Sequence, residues 1–354
     1  FIGDIDGDGL VDIAIADPTT ANAVYIYKGR SSWPATLTDS QADYVIKTDA
    51  SYAGSQFGLS MARLGDFTGD SIDDLAIGVR AYNGGVGRVV IIPGKAGGLP
   101  STISLPDATN SIVVDGDSTL GKSQFGYRVL GLGHFYTGTA TTLIASAPGT
   151  ATSDTTGQVY AFHGQAGSSG TIAITSADNV LTGPAAGARL GESLTNLSSI
   201  SGANAVGIGN SLDAFDAPGS NGAGYVMSSA GTSNPFASKQ VISMTPGASV
   251  GVILIGGGLS GLDARYSLIG DGTPDVVLGA ATTSTVLAIS DGATLGSRPN
   301  PDPVNVNAEV TVSLPSGATL SENSGRVAAD INGDGVADFC VGNTSQPGSV
   351  VVYW

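Results

Sequence analysis

Positive charge is scarce in this sequence. Only 14 of its 354 residues are Lys or Arg, against 30 Asp or Glu, which leaves a net charge of −16. A chain so short of cations has no footprint for nucleic acid or for an anionic membrane surface. Cysteine is reduced to Cys340, which excludes an intramolecular disulfide and reads as a small core residue within Phe339-Cys340-Val341. No apolar run reaches 18 residues, so no membrane insertion is expected. Catalytic residue types are scarce as well. His134 and His163 have no Cys or second His at ligand spacing, and Glu192, Glu309 and Glu322 are scattered. Neither a zinc site nor a paired-carboxylate hydrolase motif emerges. Gly256-Gly257-Gly258 is followed by no Lys, so it is not a phosphate loop. The expectation is a non-enzymatic protein. The start at Phe1 shows no secretory signal and reads as a mature or trimmed fragment.

What is present is aspartate at fixed spacing among 53 glycines. Asp4, Asp6, Asp8 and Asp12 stand at positions 1, 3, 5 and 9 of one stretch, with Gly7 and Gly9 between them. Alternate side chains on a tight loop converge, and a hard divalent cation takes six to eight oxygens, so the Leu10 carbonyl at position 7 is a further candidate ligand. An EF-hand would carry Glu at position 12, where this chain has Ile15, and Val11, Ile13 and Ile15 alternate as in a strand. The reading is a Ca2+ loop between two β-strands. The pattern returns as Asp66, Thr68, Asp70, Asp74 with the Ile72 carbonyl, and as Asp330, Asn332, Asp334, Asp338 with the Val336 carbonyl. Carboxylates held this close repel unless a cation neutralises them. About three calcium ions are therefore expected, which would bring the charge to −10.

The loop starts recur at Asp4, Asp66, His134, Ser199, Ser267 and Asp330, between 62 and 68 residues apart. Each is followed by an apolar strand (Ile13-Ala14-Ile15-Ala16 and Leu75-Ala76-Ile77-Gly78 in the first two repeats), a turn, and a second strand that usually closes on Gly, as at Gly29, Gly94 and Gly164. Repeats 3 and 4 have lost the carboxylates, and repeat 5 keeps only Asp271 and Asp275, so none of these is expected to hold an ion. An all-β chain built of units of about 65 residues, each unable to bury its own face, implies β-propeller blades. The expected repeats are approximately 1–56, 57–124, 125–189, 190–249, 250–323 and 324–354, within a single propeller over 1–354.

Phe57-Gly58 and Phe125-Gly126, with Ala16-Asp17-Pro18, Ala147-Pro148 and Gly279-Ala280, resemble the FG-GAP repeats of integrin α-subunit propellers. That resemblance implies seven blades where six repeats are counted here, and calcium loops between the first two strands of a blade. It also implies an extracellular or cell-surface adhesion or recognition module, with a protein or glycan partner on the face opposite the loops. Candidates for that face are Arg80-Ala81-Tyr82-Asn83, Tyr52, Tyr127-Arg128, Arg189 and the 211–221 loop with Asp213, Phe215 and Asp216. The rival reading is a propeller-fold enzyme such as a polysaccharide lyase, or the accessory propeller of a larger hydrolase.

Overall fold

In repeats 2 to 5 the apolar stretches become the middle strands of a small sheet. The computed structural model describes residues 1–133, 140–150, 156–184 and 186–196, and beyond these the strands named below. They fall into two compact units, 1–150 with 159–180, and 151–158 with 181–354.

The first unit opens with β1 (Ile13–Asp17), β2 (Ala23–Tyr27) and β3 (Tyr44–Thr48). The next sheet is formed by β4 (Ser60–Gly65), β5 (Asp74–Val79), β6 (Arg88–Ile92) and β8 (Ile112–Asp115), with β7 (Thr102–Leu105) between the last two in sequence. A third is formed by β9 (Val129–Leu132), β10 (Thr142–Ala147), β11 (Gln158–His163) and β13 (Asn179–Thr182), with β12 (Gly170–Ile172) preceding β13. Neighbours in order pair antiparallel, but β7 and β12 leave their own repeat. β7 lies parallel on β3, with Ile103 opposite Ile46, and β12 lies parallel on β8, with Thr171 opposite Val113. Each outer strand thus receives one more strand from the repeat that follows it.

The second unit repeats the plan in β14 (Ser193–Asn196), β15 (Ala205–Asn210), β16 (Ala223–Ser228), β17 (Gln240–Ser243), β18 (Val252–Ile255), β19 (Leu259–Asp263), β20 (Val276–Ala280), β21 (Thr285–Ile289), β22 (Asp302–Pro303), β23 (Val310–Ser313), β24 (Phe339–Asn343) and β25 (Ser349–Tyr353). One sheet runs β14-β15-β16-β18, and β22 pairs parallel with β18. Another runs β19-β20-β21-β23, and β24 pairs with β25. β18 pairs with β16 and so belongs to the sheet of repeat 4. These antiparallel four-stranded meanders, repeated along the chain, are β-propeller blades, and the protein is all-β.

Successive side chains of a strand point to opposite faces. In β6, Val90 and Ile92 enter one core cluster with Ile26, Ile46 and Phe57, whereas Val89 and Ile91 enter a second with Phe125, Tyr160 and Phe162. The sheet of repeat 2 is therefore buried on both faces. This is why β5 and β6 read as continuous apolar runs rather than as alternation. Phe57 and Phe125 are wholly buried, and Phe125 meets Tyr160 edge to face at 5.4 Å.

The residues before these phenylalanines, Gln56 and Gln124, take left-handed backbone (φ 61° and 58°), as does Arg189 before Leu190 (φ 56°). The glycines after them return the chain to the sheet. The Gly58, Gly126 and Gly191 N–H groups donate to the carbonyls of Gly78, Ser146 and Gly209.

Candidate metal centre

The second acidic loop joins β4 to β5, and the first leads into β1 and is closed by the bridge between Gly3 and Asp12, so each precedes the first long apolar strand of its repeat. They share one hydrogen-bond skeleton. The Asp4 carboxylate accepts the N–H groups of Gly7, Asp8 and Gly9 at 2.8, 3.0 and 2.8 Å. Asp66 accepts those of Gly69, Asp70 and Ser71 at 2.6, 2.9 and 2.9 Å. Asp8 in turn accepts from the Leu10 N–H, and Asp70 from that of Ile72, each at 2.9 Å. Self-bonded aspartates of this kind hold a turn in shape without help from the sheet.

In the first loop, Asp4, Asp6 and Asp8 each offer an oxygen, and the three lie within 4.8 Å of one another. Calcium–oxygen distances are about 2.3–2.6 Å, so oxygens at this separation fit around one ion. The donor set of three carboxylates is the hard oxygen chemistry that calcium takes. The carboxylate of Asp6 is fully buried and meets the Lys28 ammonium at 2.6 Å and the Tyr44 hydroxyl at 3.0 Å. Burial pushes the Asp6 carboxyl up, but these two partners outweigh it and hold it below the ordinary value. In the second loop Thr68 takes the place of Asp6. It is buried, and its hydroxyl reaches toward Asp74 at 3.5 Å.

The ninth positions are set apart from the other carboxylates. Asp12 is wholly buried and accepts the N–H groups of Ile5 and Gly29 at 2.9 and 2.7 Å. Asp74 accepts those of Phe67, Thr68 and Gly94 at 2.8, 2.9 and 2.8 Å. Each ties its loop to the glycine just past β2 or β6, which explains why those strands close on Gly. Burial raises both carboxyls, that of Asp74 to about 6. The third loop, with Asp330, Asn332, Asp334, Val336 and Asp338, lies outside the described residues, as do the degraded loop starting at His134 and the 211–221 loop.

A second recurring feature escaped the sequence reading. The turn Lys95-Ala96-Gly97 of repeat 2 seats the loop of repeat 1, with the Lys95 and Gly97 N–H groups donating to the carbonyls of Ile5 and Asp6 at 2.9 and 3.0 Å. Gly167, in the turn Gln165-Ala166-Gly167, donates to the Thr68 carbonyl at 3.0 Å in the same way. A Cβ on Gly69 would stand 2.8 Å from the Ala166 Cα, so the glycine at position 4 is required by its neighbour as well as by its turn. The signal was in the sequence: Gly94-Lys95-Ala96-Gly97 and Gly164-Gln165-Ala166-Gly167 are the same four-residue pattern.

At the opposite end of the sheets, Tyr82, Asn83, Arg88, Asp115, Ser51 and Ser118 line an open pocket of about 530 Å³. Its charges are matched internally. Arg88 grips Asp115 at 2.6 and 2.9 Å, reaches the Tyr52 hydroxyl at 2.8 Å and lies 3.9 Å over the Tyr82 ring. Arg80 bonds Gln56 at 2.7 Å and covers Tyr127, and Arg189 pairs with Glu192 at 2.8 Å. These candidates for a partner face are thus engaged first in holding their own loops.

No protein-family model matches the chain. Over 109 residues, 29% of this chain, it is 36% identical to integrin alpha-4 of Xenopus laevis, and the match spans 10% of that protein. Crystal structures of BBS1N in complex with ARL6DN, soaked with mercury or lead, cover 96% and 99% of this chain, and the chain covers 73% and 76% of them. Their TM-scores are 0.42 and 0.46 at 10% and 11% identity, so the fold assignment rests on the strand topology itself. Among the described residues no helix is long and apolar enough to cross a membrane.

Proposed function

We propose that this chain is a calcium-stabilised propeller of the FG-GAP kind, acting outside the cell as a non-enzymatic module that recognises a protein or glycan. The observation that carries the calcium reading is the convergence of Asp4, Asp6 and Asp8 oxygens within 4.8 Å, on a loop whose hydrogen-bond skeleton recurs around Asp66. Asp4, Asp6, Asp8, Asp12 and the Leu10 carbonyl would hold the first ion. Asp66, Thr68, Asp70, Asp74 and the Ile72 carbonyl would hold the second, and the 330–338 loop a third. Extracellular modules bind calcium in the range of about 10⁻⁴ to 10⁻³ M, which suits exposed loops of this sort. The stretch similar to integrin alpha-4 supports the recognition role.

The decisive measurement is calcium counted per chain by equilibrium dialysis and native mass spectrometry. Two to three ions are expected, and one or none would overturn the reading. A glycan array together with a pull-down against native extracellular material tests the recognition half. Failure to retain any ligand in calcium would overturn that part alone.

A further inference from the structure

We infer that Lys28 is a built-in counter-ion of the first acidic loop that sets its calcium affinity, so that loop 1 binds more weakly than its four carboxylates imply. This rests on the calcium reading above. The Lys28 Nζ lies 2.6 Å from Asp6 and 3.5 Å from Asp8, two of the three residues whose oxygens converge. An ammonium there competes for the same oxygens and repels a divalent ion brought among them.

Comparison with the second repeat shows that Lys28 is no requirement of the fold. Gly29 and Gly94 both donate to the ninth-position aspartate, which aligns Lys28 with Pro93 and Asp6 with Thr68. The loop with an extra carboxylate has an ammonium beside it. The loop with a hydroxyl in that place has a proline. Each therefore presents the same fixed charge to an ion: four carboxylates and one ammonium in loop 1, three carboxylates in loop 2. Equal charge predicts similar affinities for the two loops, where a count of aspartates alone ranks loop 1 above loop 2. Lys28 also supplies a cation when calcium is scarce, which lets loop 1 keep its shape without metal.

The test is calorimetric titration of the full chain with calcium in an Asp70→Ala, Asp334→Ala background, which isolates loop 1. Lys28→Met should tighten binding by at least about tenfold, and Lys28→Arg should leave it within about threefold. In the otherwise unaltered chain, Lys28→Met should lower the calcium-free melting temperature while leaving the calcium-loaded one unchanged. The converse pair acts on loop 2. Thr68→Asp should tighten it, and adding Pro93→Lys should reverse the gain, which keeps the inference testable if the Lys28 variants misfold. Calcium binding that Lys28→Met leaves unchanged or weakens would overturn the role of Lys28 and leave the calcium reading standing. No calcium in either the background or the unaltered chain would overturn both.

Discussion

Asp12 and Asp74 are wholly buried, and burial sets them apart from Asp4, Asp8, Asp66 and Asp70, whose carboxylates also serve backbone N–H groups. Asp8→Ala and Asp70→Ala should each remove one calcium from the bound count, as should Asp334→Ala, while Thr142→Ala should remove none. Native mass spectrometry in calcium reads all four. Burial lifts the Asp74 carboxyl from the ordinary 3.8 to about 6, against the pull of the Gly94, Thr68 and Phe67 N–H groups. The metal-free fold therefore holds this proton more tightly than the unfolded chain does. That contribution to stability is present below about pH 4 and is lost as pH rises through about 6. Calcium takes the ionised carboxylate, so the gap in melting temperature between calcium-loaded and calcium-free protein should widen from pH 5 to pH 7. Asp74→Asn should flatten that trend, and a gap independent of pH in the unaltered chain would refute it. The convergence of Asp4, Asp6 and Asp8 was legible in the sequence because spacing alone brings positions 1, 3 and 5 of a tight loop together. The double duty of position 9 was not, because its partners Gly29 and Gly94 lie 17 and 20 residues away across the sheet.

At the scale of elements, the Phe-Gly pairs fix where one blade begins. Gly58 has φ +85°, and a Cβ there would stand 2.6 Å from that of Ala16. Gly126 has φ +81° and would place its Cβ 2.4 Å from the Arg88 carbonyl oxygen. Left-handed backbone costs alanine about 1–2 kcal/mol and overpacking about 1–3 more. Gly58→Ala and Gly126→Ala should each destabilise by about 2–5 kcal/mol in urea unfolding. Gly54, also left-handed at φ +68° but with nothing within 4 Å of a Cβ, provides the control, and Gly54→Ala should cost only about 1–2 kcal/mol. Equal losses at the three sites would mean that the close approach is not what these glycines serve. The two central strands of repeats 2 to 5 could be read because they are mostly apolar. β7 and β12 could not: they are three or four residues long, partly exposed, and pair in parallel with strands dozens of residues upstream. Only the alternation of Thr102, Ile103, Ser104 and Leu105 hinted at a strand, and nothing in it names β3 as its partner.

For the whole molecule, an ion bound only by the folded state adds about 2.7 kcal/mol per site at a hundredfold excess over Kd. Calcium should raise the melting temperature by several degrees in a scanning experiment, and identical midpoints with and without it would mean that the acidic loops are held by their internal hydrogen bonds alone. The exchanged strands bear on a different property, the response to pulling. β7 runs parallel to β3 and follows it in the chain, as β12 does β8. Tension that enters β3 from its N-terminal side and leaves β7 from its C-terminal side drags the pair past each other lengthwise. The hydrogen bonds between them are then loaded together instead of opening one at a time. Each exchanged strand thus puts a shear joint between consecutive repeats, at the place where a chain of independent blades would give way first.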